Sequence, residues 1–399
     1  MTQDDLVAPR GATTQLVLAT TGFMVGFWAW ALISPLGKAY GIDYDLTDVQ
    51  QAVLVAVPVI VGSLGRIPVG ALTDRLGARI MFPSVIGLTI LPVLFVGLVA
   101  DSFAALLVGG FFLGLGGTAF AIGVPFVNAW YPPARHGTAL GIFGIGMGGT
   151  AISAFTTVRL ADAGGRSLPF IIVACVLAVY AVVSWLALRD APGRTPGAVG
   201  SLLTRTWATL RLPATLQLSW LYAVGFGGFV AFSVYLPTFL ANAYDLTTAD
   251  AAARTAGFVV LAVLCRPLGG ALSDRVGAIP VSVASFALVT VLASVIAFKP
   301  DLVPIGTVAF LGMAVALGAS SGATFALVAA VAPPEKVGAV TGVVGAAGGL
   351  GGFVPPLLMG VVYQLNGDYD LGFALLAVTA LATLLFTLGP VRAGVRRRT

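Results

Sequence analysis

Twelve stretches of this chain, each about 20 residues long and almost wholly apolar, alternate with short polar segments. They run over Thr14–Leu36, Asp48–Leu72, Ile80–Val99, Phe103–Val127, Thr138–Val158 and Leu168–Leu188, then Ala214–Leu240, Ala249–Leu272, Val281–Phe298, Leu302–Val331, Val337–Tyr363 and Leu371–Pro390. A run of that length crosses the hydrocarbon core of a bilayer as a helix, with every backbone group satisfied inside the segment. The pattern predicts an all-α membrane protein of twelve transmembrane helices, spans 1 to 12, with the lipid bilayer as its surroundings.

Composition agrees, with 58% hydrophobic and only 9% charged residues, where a soluble domain carries about 25% charged. The few charges set an orientation. With both termini in the cytoplasm, fourteen of the 21 lysines and arginines fall on the inner side, among them Arg75, Arg79, Arg135, Arg189 and Arg275. Five fall outside: Lys38, Arg159, Arg166, Arg254 and Lys299. That bias follows the positive-inside rule and predicts a multi-pass inner-membrane protein with both termini cytoplasmic. The net charge of +5 thus reflects topology, and no nucleic-acid partner is expected. The N-terminal segment, with Asp4 and Asp5 before a full-length span, does not read as a cleavable signal peptide.

The same inventory excludes several chemistries. Cys175 and Cys265 stand singly in apolar runs, and His136 is the only histidine, so neither a thiolate nor a multi-histidine metal site is expected. The chain contains no phosphate-binding GxxxxGK[ST] loop. No enzyme activity and no cofactor are expected. Gradient-driven transport remains.

The chain also repeats itself. Arg66-Ile-Pro-Val-Gly70-Ala-Leu-Thr-Asp74-Arg75-Leu-Gly77 returns 200 positions later as Arg266-Pro-Leu-Gly-Gly270-Ala-Leu-Ser-Asp274-Arg275-Val-Gly277. A second echo pairs Pro132, Pro133, Gly137, Gly141, Gly144 and Gly148 with Pro333, Pro334, Gly338, Gly342, Gly345 and Gly349. Two echoes at nearly one offset predict two pseudo-symmetric six-helix bundles, 1–190 and 214–399, joined by a cytoplasmic linker over 191–213. In parallel repeats of this kind the substrate binds near the midplane between halves. Arg66 and Arg266, at matching points of spans 2 and 8, are therefore expected to converge on a central cavity. Cations inside membrane spans are costly, about 2.5 to 3.5 kcal/mol each on insertion scales, and commonly functional. The planar guanidinium fork matches a flat oxyanion, which makes a small anion the expected ligand. Tyr222 and Phe226, spaced i, i+4, share a helix face and could sandwich a planar ion. The glycines of spans 5 and 11 permit close helix approach, bending and sliding, and Gly141, Gly144, Gly345 and Gly349 are candidate gating positions.

The segment Gly70-Ala-Leu-Thr-Asp74-Arg75-Leu-Gly77-Ala-Arg79 resembles the signature of the major facilitator superfamily between spans 2 and 3. The resemblance implies the major facilitator fold and a gate role for Asp74 and Arg75, repeated in Asp274 and Arg275. Within that superfamily the chain looks most like the nitrate/nitrite porters, which carry an arginine and a nearby proline in spans 2 and 8, as in Arg66-Ile-Pro68 and Arg266-Pro267. The run Gly345-Ala-Ala-Gly-Gly-Leu-Gly351-Gly352-Phe353-Val-Pro355 is similar to their second glycine-rich signature. The resemblance implies nitrate or nitrite as substrate, with Phe120, Tyr222 and Phe226 lining the anion site. One departure stands out: the first signature normally includes asparagines that reach the anion, whereas Phe143, Gly146, Met147 and Gly148 occupy that stretch here.

No Asp, Glu, His or Lys falls in the core of any span. Proton-coupled carriers relay protons through such groups, so nitrate/nitrite exchange by alternating access is the expected mechanism, in a monomer. Proton-coupled nitrate or nitrite uptake, and transport of a short carboxylate or cyanate, are the alternatives.

Overall fold

The computed structural model describes residues 9–132, 135–192, 209–332 and 337–396. Those residues form helices and connecting turns, with twelve helices long and apolar enough to cross a membrane. These are α1 Ala12–Asp43, α2 Asp48–Leu76, α3 Ala78–Leu98, α4 Phe103–Trp130, α5 Thr138–Gly164, α6 Leu168–Ala187, α7 Pro213–Ala243, α8 Thr248–Val276, α9 Ala278–Ala297, α10 Leu302–Val328, α11 Val340–Asn366 and α12 Asp370–Arg396. Most of the expected linker, 193–208, lies outside the described residues, as do Pro133, Pro333 and Pro334 of the second echo.

The first echo is visible as geometry. Gly77 (φ 89°) ends α2 and Gly277 (φ 91°) ends α8, and each donates its N–H four residues back, to the Thr73 and Ser273 carbonyls, at 2.9 Å in both. An L-residue at that positive φ would be strained, so glycine permits the sharp reversal into α3 and α9. Behind Gly77, Asp190 caps α3: its carboxylate accepts from the backbone N–H of Ala78 (2.9 Å) and Arg79 (3.3 Å). Two orphan donors and the positive end of a helix dipole are satisfied by one acid. Asp190→Ala is expected to cost about 1 kcal/mol of stability, read as a lowered melting temperature with substrate affinity unchanged.

By contacts the chain forms two units. The first holds the described residues of Met1–Ile33 and Val57–Leu202; the second holds Ser34–Ala56 and the described residues of Leu203–Thr399. Chain order alone would place Ser34–Ala56 with the first bundle. It belongs by packing with α7 and α11. Ser34 Oγ donates to the Val234 carbonyl at 2.6 Å, Lys38 Nζ to the Ala241 carbonyl at 2.9 Å, and the Val49 N–H to Gln364 Oε1 at 3.4 Å. The Ala241 carbonyl lies in the last turn of α7, where intrahelical donors run out and a cation is favoured. Those contacts carry α1 past its expected end at Leu36, through a 3₁₀ turn at Ser34–Leu36, to Asp43.

Two helices depart from regular geometry where glycines are dense. In α5 the α-helical hydrogen bonding gives way to a 3₁₀ turn over Ile145–Gly148, directly after Gly144, whose absent side chain faces open space. In α11 the helix breaks after Gly351: Gly352 donates to the Gly349 carbonyl (2.9 Å), Phe353 to the Leu350 carbonyl (3.0 Å), and a new segment starts at Val354. Pro355 and Pro356, without N–H groups, sit in the first turn of that segment, the one place a helix accepts them.

Candidate anion site

Each unit places its span 2 or span 8 arginine against aromatic side chains. In the first, α2 runs on through Gly65 with helical backbone (φ −63°, ψ −19°), and Pro68, which has no N–H, leaves one rung of its hydrogen-bond ladder unmade just after Arg66. Arg66 is 8% exposed, and its guanidinium carbon lies 5.1 Å from the centre of the Phe120 ring. That ring projects from α4 just after a 3₁₀ stretch, Gly114–Thr118. Phe23 of α1 and Phe143 of α5 close around it: Phe23 stacks on Phe143 at 4.8 Å and 20°, and both lean on Phe120, at 5.7 and 6.2 Å.

In the second unit Arg266 meets a hydroxyl and three rings. Arg266 Nη2 donates to Tyr222 Oη at 2.8 Å, and the guanidinium carbon lies 5.3 Å from Phe325, 5.4 Å from Phe226 and 5.8 Å from Tyr222. All three distances are within reach of cation–π attraction. Tyr222 and Phe226 share a face of α7, as their i, i+4 spacing requires, but they stack directly on each other, 4.8 Å apart and 2° from parallel. Two rings in mutual contact leave no slot for an ion, so they do not sandwich one. They form a single wall beside the arginine, and Phe325 of α10 meets Tyr222 edge-on at 4.8 Å and 71°.

Phe325 is the site residue that sequence reasoning missed. It is the only large ring in the run Gly318-Ala-Ser-Ser-Gly-Ala-Thr-Phe325, and such a run is itself a signal of close helix approach. The approach is to α8. A side chain at Gly322 would overlap the Arg266 carbonyl, and one at Gly318 the Ala262 carbonyl. Backbone contact between α8 and α10 thus brings Phe325 to the guanidinium.

Asp74, Arg75, Asp274 and Arg275 are exposed at the ends of α2 and α8. Arg75 and Arg275 lie in the last turns, where the helix dipole favours cations. A separate cavity of about 320 Å³ in the second unit is lined by Tyr244, Lys299, Tyr363, Asp368 and Tyr369. Its ammonium is already shared between Asp368 (3.5 Å) and Asp370 (3.6 Å). Burial pushes the Tyr369 hydroxyl up to about 12, so it stays neutral.

Twelve membrane-length helices in two units, each holding a guanidinium against a ring partway along a span, make up a multi-pass membrane protein. The profile of the Major Facilitator Superfamily matches residues 18–354 and, overlapping, 249–399. Relatives narrow the assignment. "Probable nitrate/nitrite transporter NarK2" of Mycobacterium tuberculosis (strain H37Rv) is 49% identical over 381 residues, 95% of this chain and 96% of that one. The "Nitrite extrusion protein" of Bacillus subtilis (strain 168) is 38% identical, covering 94% and 93%. The chain belongs to the major facilitator superfamily and, within it, to the nitrate/nitrite porters. Solved structures show the same fold: a bacterial homologue of the human lysosomal transporter Spinster (TM-score 0.69, 19% identity, 98% of both chains) and the human organic anion transporter MFSD10 (TM-score 0.73, 15% identity, 95% of this chain and 100% of that one).

Proposed function

We propose that this protein carries nitrate and nitrite across the inner membrane, exchanging one for the other by alternating access, as a monomer with both termini cytoplasmic. The observation that carries the reading is the hydrogen bond from Arg266 to Tyr222 inside a cage of rings. That bond holds the phenol oxygen against the edge of a planar cation, so a hydroxyl and a guanidinium fork stand side by side. Donors on one side of a planar group, backed by hydrocarbon rings, suit a flat, delocalised oxyanion. Arg66 on Phe120 supplies the corresponding cation of the first unit.

Exchange is favoured over proton coupling because the span cores contain no carboxylate, histidine or lysine to relay a proton. An anion that stabilises the reorienting form more than the open one supplies the driving term. Asp74, Arg75, Asp274 and Arg275 are proposed as gate residues, and Gly141, Gly144, Gly345 and Gly349 as points where α5 and α11 bend.

Purified protein in liposomes tests this directly. Tracer nitrate is expected to enter vesicles loaded with nitrite or nitrate and to enter empty vesicles poorly; vigorous uptake into anion-free vesicles that scales with a pH gradient would reject exchange. Tyr222→Phe removes the hydroxyl and keeps the ring stack. It is expected to weaken nitrate binding by about 10-fold, the loss of one hydrogen bond to a charged group, with the melting temperature little changed.

A further inference from the structure

The two arginine sites are walled differently. Beside Arg266 the Tyr222 hydroxyl is within hydrogen-bond reach at 2.8 Å. Beside Arg66 the Phe120 ring centre lies 5.1 Å from the guanidinium carbon, Phe23 and Phe143 pack on Phe120, and none of these three rings carries a hydrogen-bonding atom. This wall is closely fitted. Phe143 is 1% exposed and Phe23 is fully buried. Gly123 of α4 lies against the Phe143 ring, where any side chain would overlap it, and a side chain at Gly146 would come within 2.5 Å of Phe23 Cδ1. Two glycines on two helices therefore make room for this stack, and buried aromatic pairs of this kind hold their rings in fixed register.

We infer that Phe143 is a positioning residue of the Arg66 site: stacked on Phe23 and leaning on Phe120, it fixes the ring on which the guanidinium rests and keeps hydrogen-bonding groups off that wall, so that this site selects anions by how readily they shed water. The inference rests on the nitrate/nitrite reading and specifies its substrate preference. An anion moving against hydrocarbon recovers from that wall none of the hydrogen bonds it gives up on leaving water. The penalty is smallest where charge is most dispersed. Nitrate spreads one charge over three oxygens, nitrite and formate over two, so an all-ring wall favours nitrate. A polar wall would narrow the difference by compensating the better hydrated ions.

The test is competition. Counterflow of tracer nitrate is measured in liposomes against unlabelled nitrate, nitrite and formate, for the wild type, Phe143→Asn, Phe143→Leu and Phe23→Leu. Phe143→Asn places an amide in the wall and is expected to lower the preference for nitrate over formate by about 10-fold, with the maximal rate within about twofold. Phe143→Leu and Phe23→Leu remove a ring without adding a donor. They are expected to raise the half-saturating nitrate concentration several-fold by loosening Phe120 and Arg66, with little change in maximal rate. A purely structural role would lower the amount of folded protein and leave both the preference and the half-saturation of the surviving protein unchanged. Wild-type preference and half-saturation in variants that melt normally would overturn the inference; if Phe143→Asn is recovered unfolded, the two leucine variants decide it by the same criterion. Wild-type protein that carries neither nitrate nor nitrite would instead overturn the proposed function, and the ratio for whichever anion it carries would still read the wall.

Discussion

Arg266→Lys is expected to yield folded protein in the membrane and to weaken nitrate binding by about 100-fold. Charge is conserved, so the loss isolates what the guanidinium geometry contributes. The cage itself accepts an ammonium, because Tyr222, Phe226 and Phe325 offer ring faces within 6 Å and cation–π attraction does not require a planar cation. That is why folding should survive. An ammonium on a flexible stem cannot reproduce two parallel N–H bonds to an oxyanion while also holding Tyr222 Oη, which Arg266 Nη2 does at 2.8 Å. Without that bond the Tyr222 hydroxyl is no longer held beside the cation, and the aromatic wall of the site loosens together with it. Arg66→Lys is expected to weaken nitrate binding as well, because the guanidinium that lies 5.1 Å from the Phe120 ring centre is replaced by a cation without the planar fork. Thermal shift with nitrate and tracer counterflow measure both variants. Unchanged nitrate affinity in the two lysine variants would remove the anion-binding role of the arginines.

What the sequence made legible follows from periodicity. Each span was visible because a bilayer demands about 20 apolar residues in one run, and the two arginines because a 200-residue echo brackets them with the same glycines and acids. What stayed hidden depends on contacts between residues far apart in the chain. Hydropathy drops at Lys38 and Asp43, so span 1 was expected to end at Leu36; the helix continues because Lys38 finds the Ala241 carbonyl, 203 residues later. Asp190 reads as a loop acid until α3 brings two N–H groups to it across 111 and 112 positions. Tyr222 and Phe226 could be placed on one face, but spacing does not reveal whether two rings splay around a ligand or stack on each other. Phe325 joins the site through glycine contacts between α8 and α10, for which the sequence carried only a run of small residues. Phe143 was noticed as a departure from the porter signature; its stacking on Phe23 turns that departure into a wall.

The glycines of α11 allow packing and function to be separated three residues apart. Gly348→Ala is expected to cost about 10-fold in nitrate affinity with a smaller loss of melting temperature than Gly351→Ala, which is expected to lose about 1–3 kcal/mol of stability and most transport with it. A methyl group at 348 would overlap the Tyr222 ring and come within 3.1 Å of Phe226 Cδ1. Tyr222 has little room to yield: it is fully buried, parallel to Phe226, edge-on to Phe325 and tied to Arg266. The displacement that the ring must make therefore reaches the hydroxyl and the guanidinium, the groups that would meet the anion. At 351 the obstacle is backbone. The added carbon would overlap the Ala223 carbonyl oxygen and lie 2.7 Å from its Cα, and Gly227 faces Gly351 in return at 2.6 Å. Main-chain atoms cannot rotate aside, so α7 and α11 must separate along their length, forfeiting contacts that close packing supplies in place of a hydrophobic drive. Detergent melting curves and counterflow on the two variants give the comparison. A Gly348→Ala protein with wild-type affinity would show that α11 does not set the position of Tyr222, and equal melting of both variants with the wild type would show that α7 and α11 tolerate a wider gap than their geometry implies.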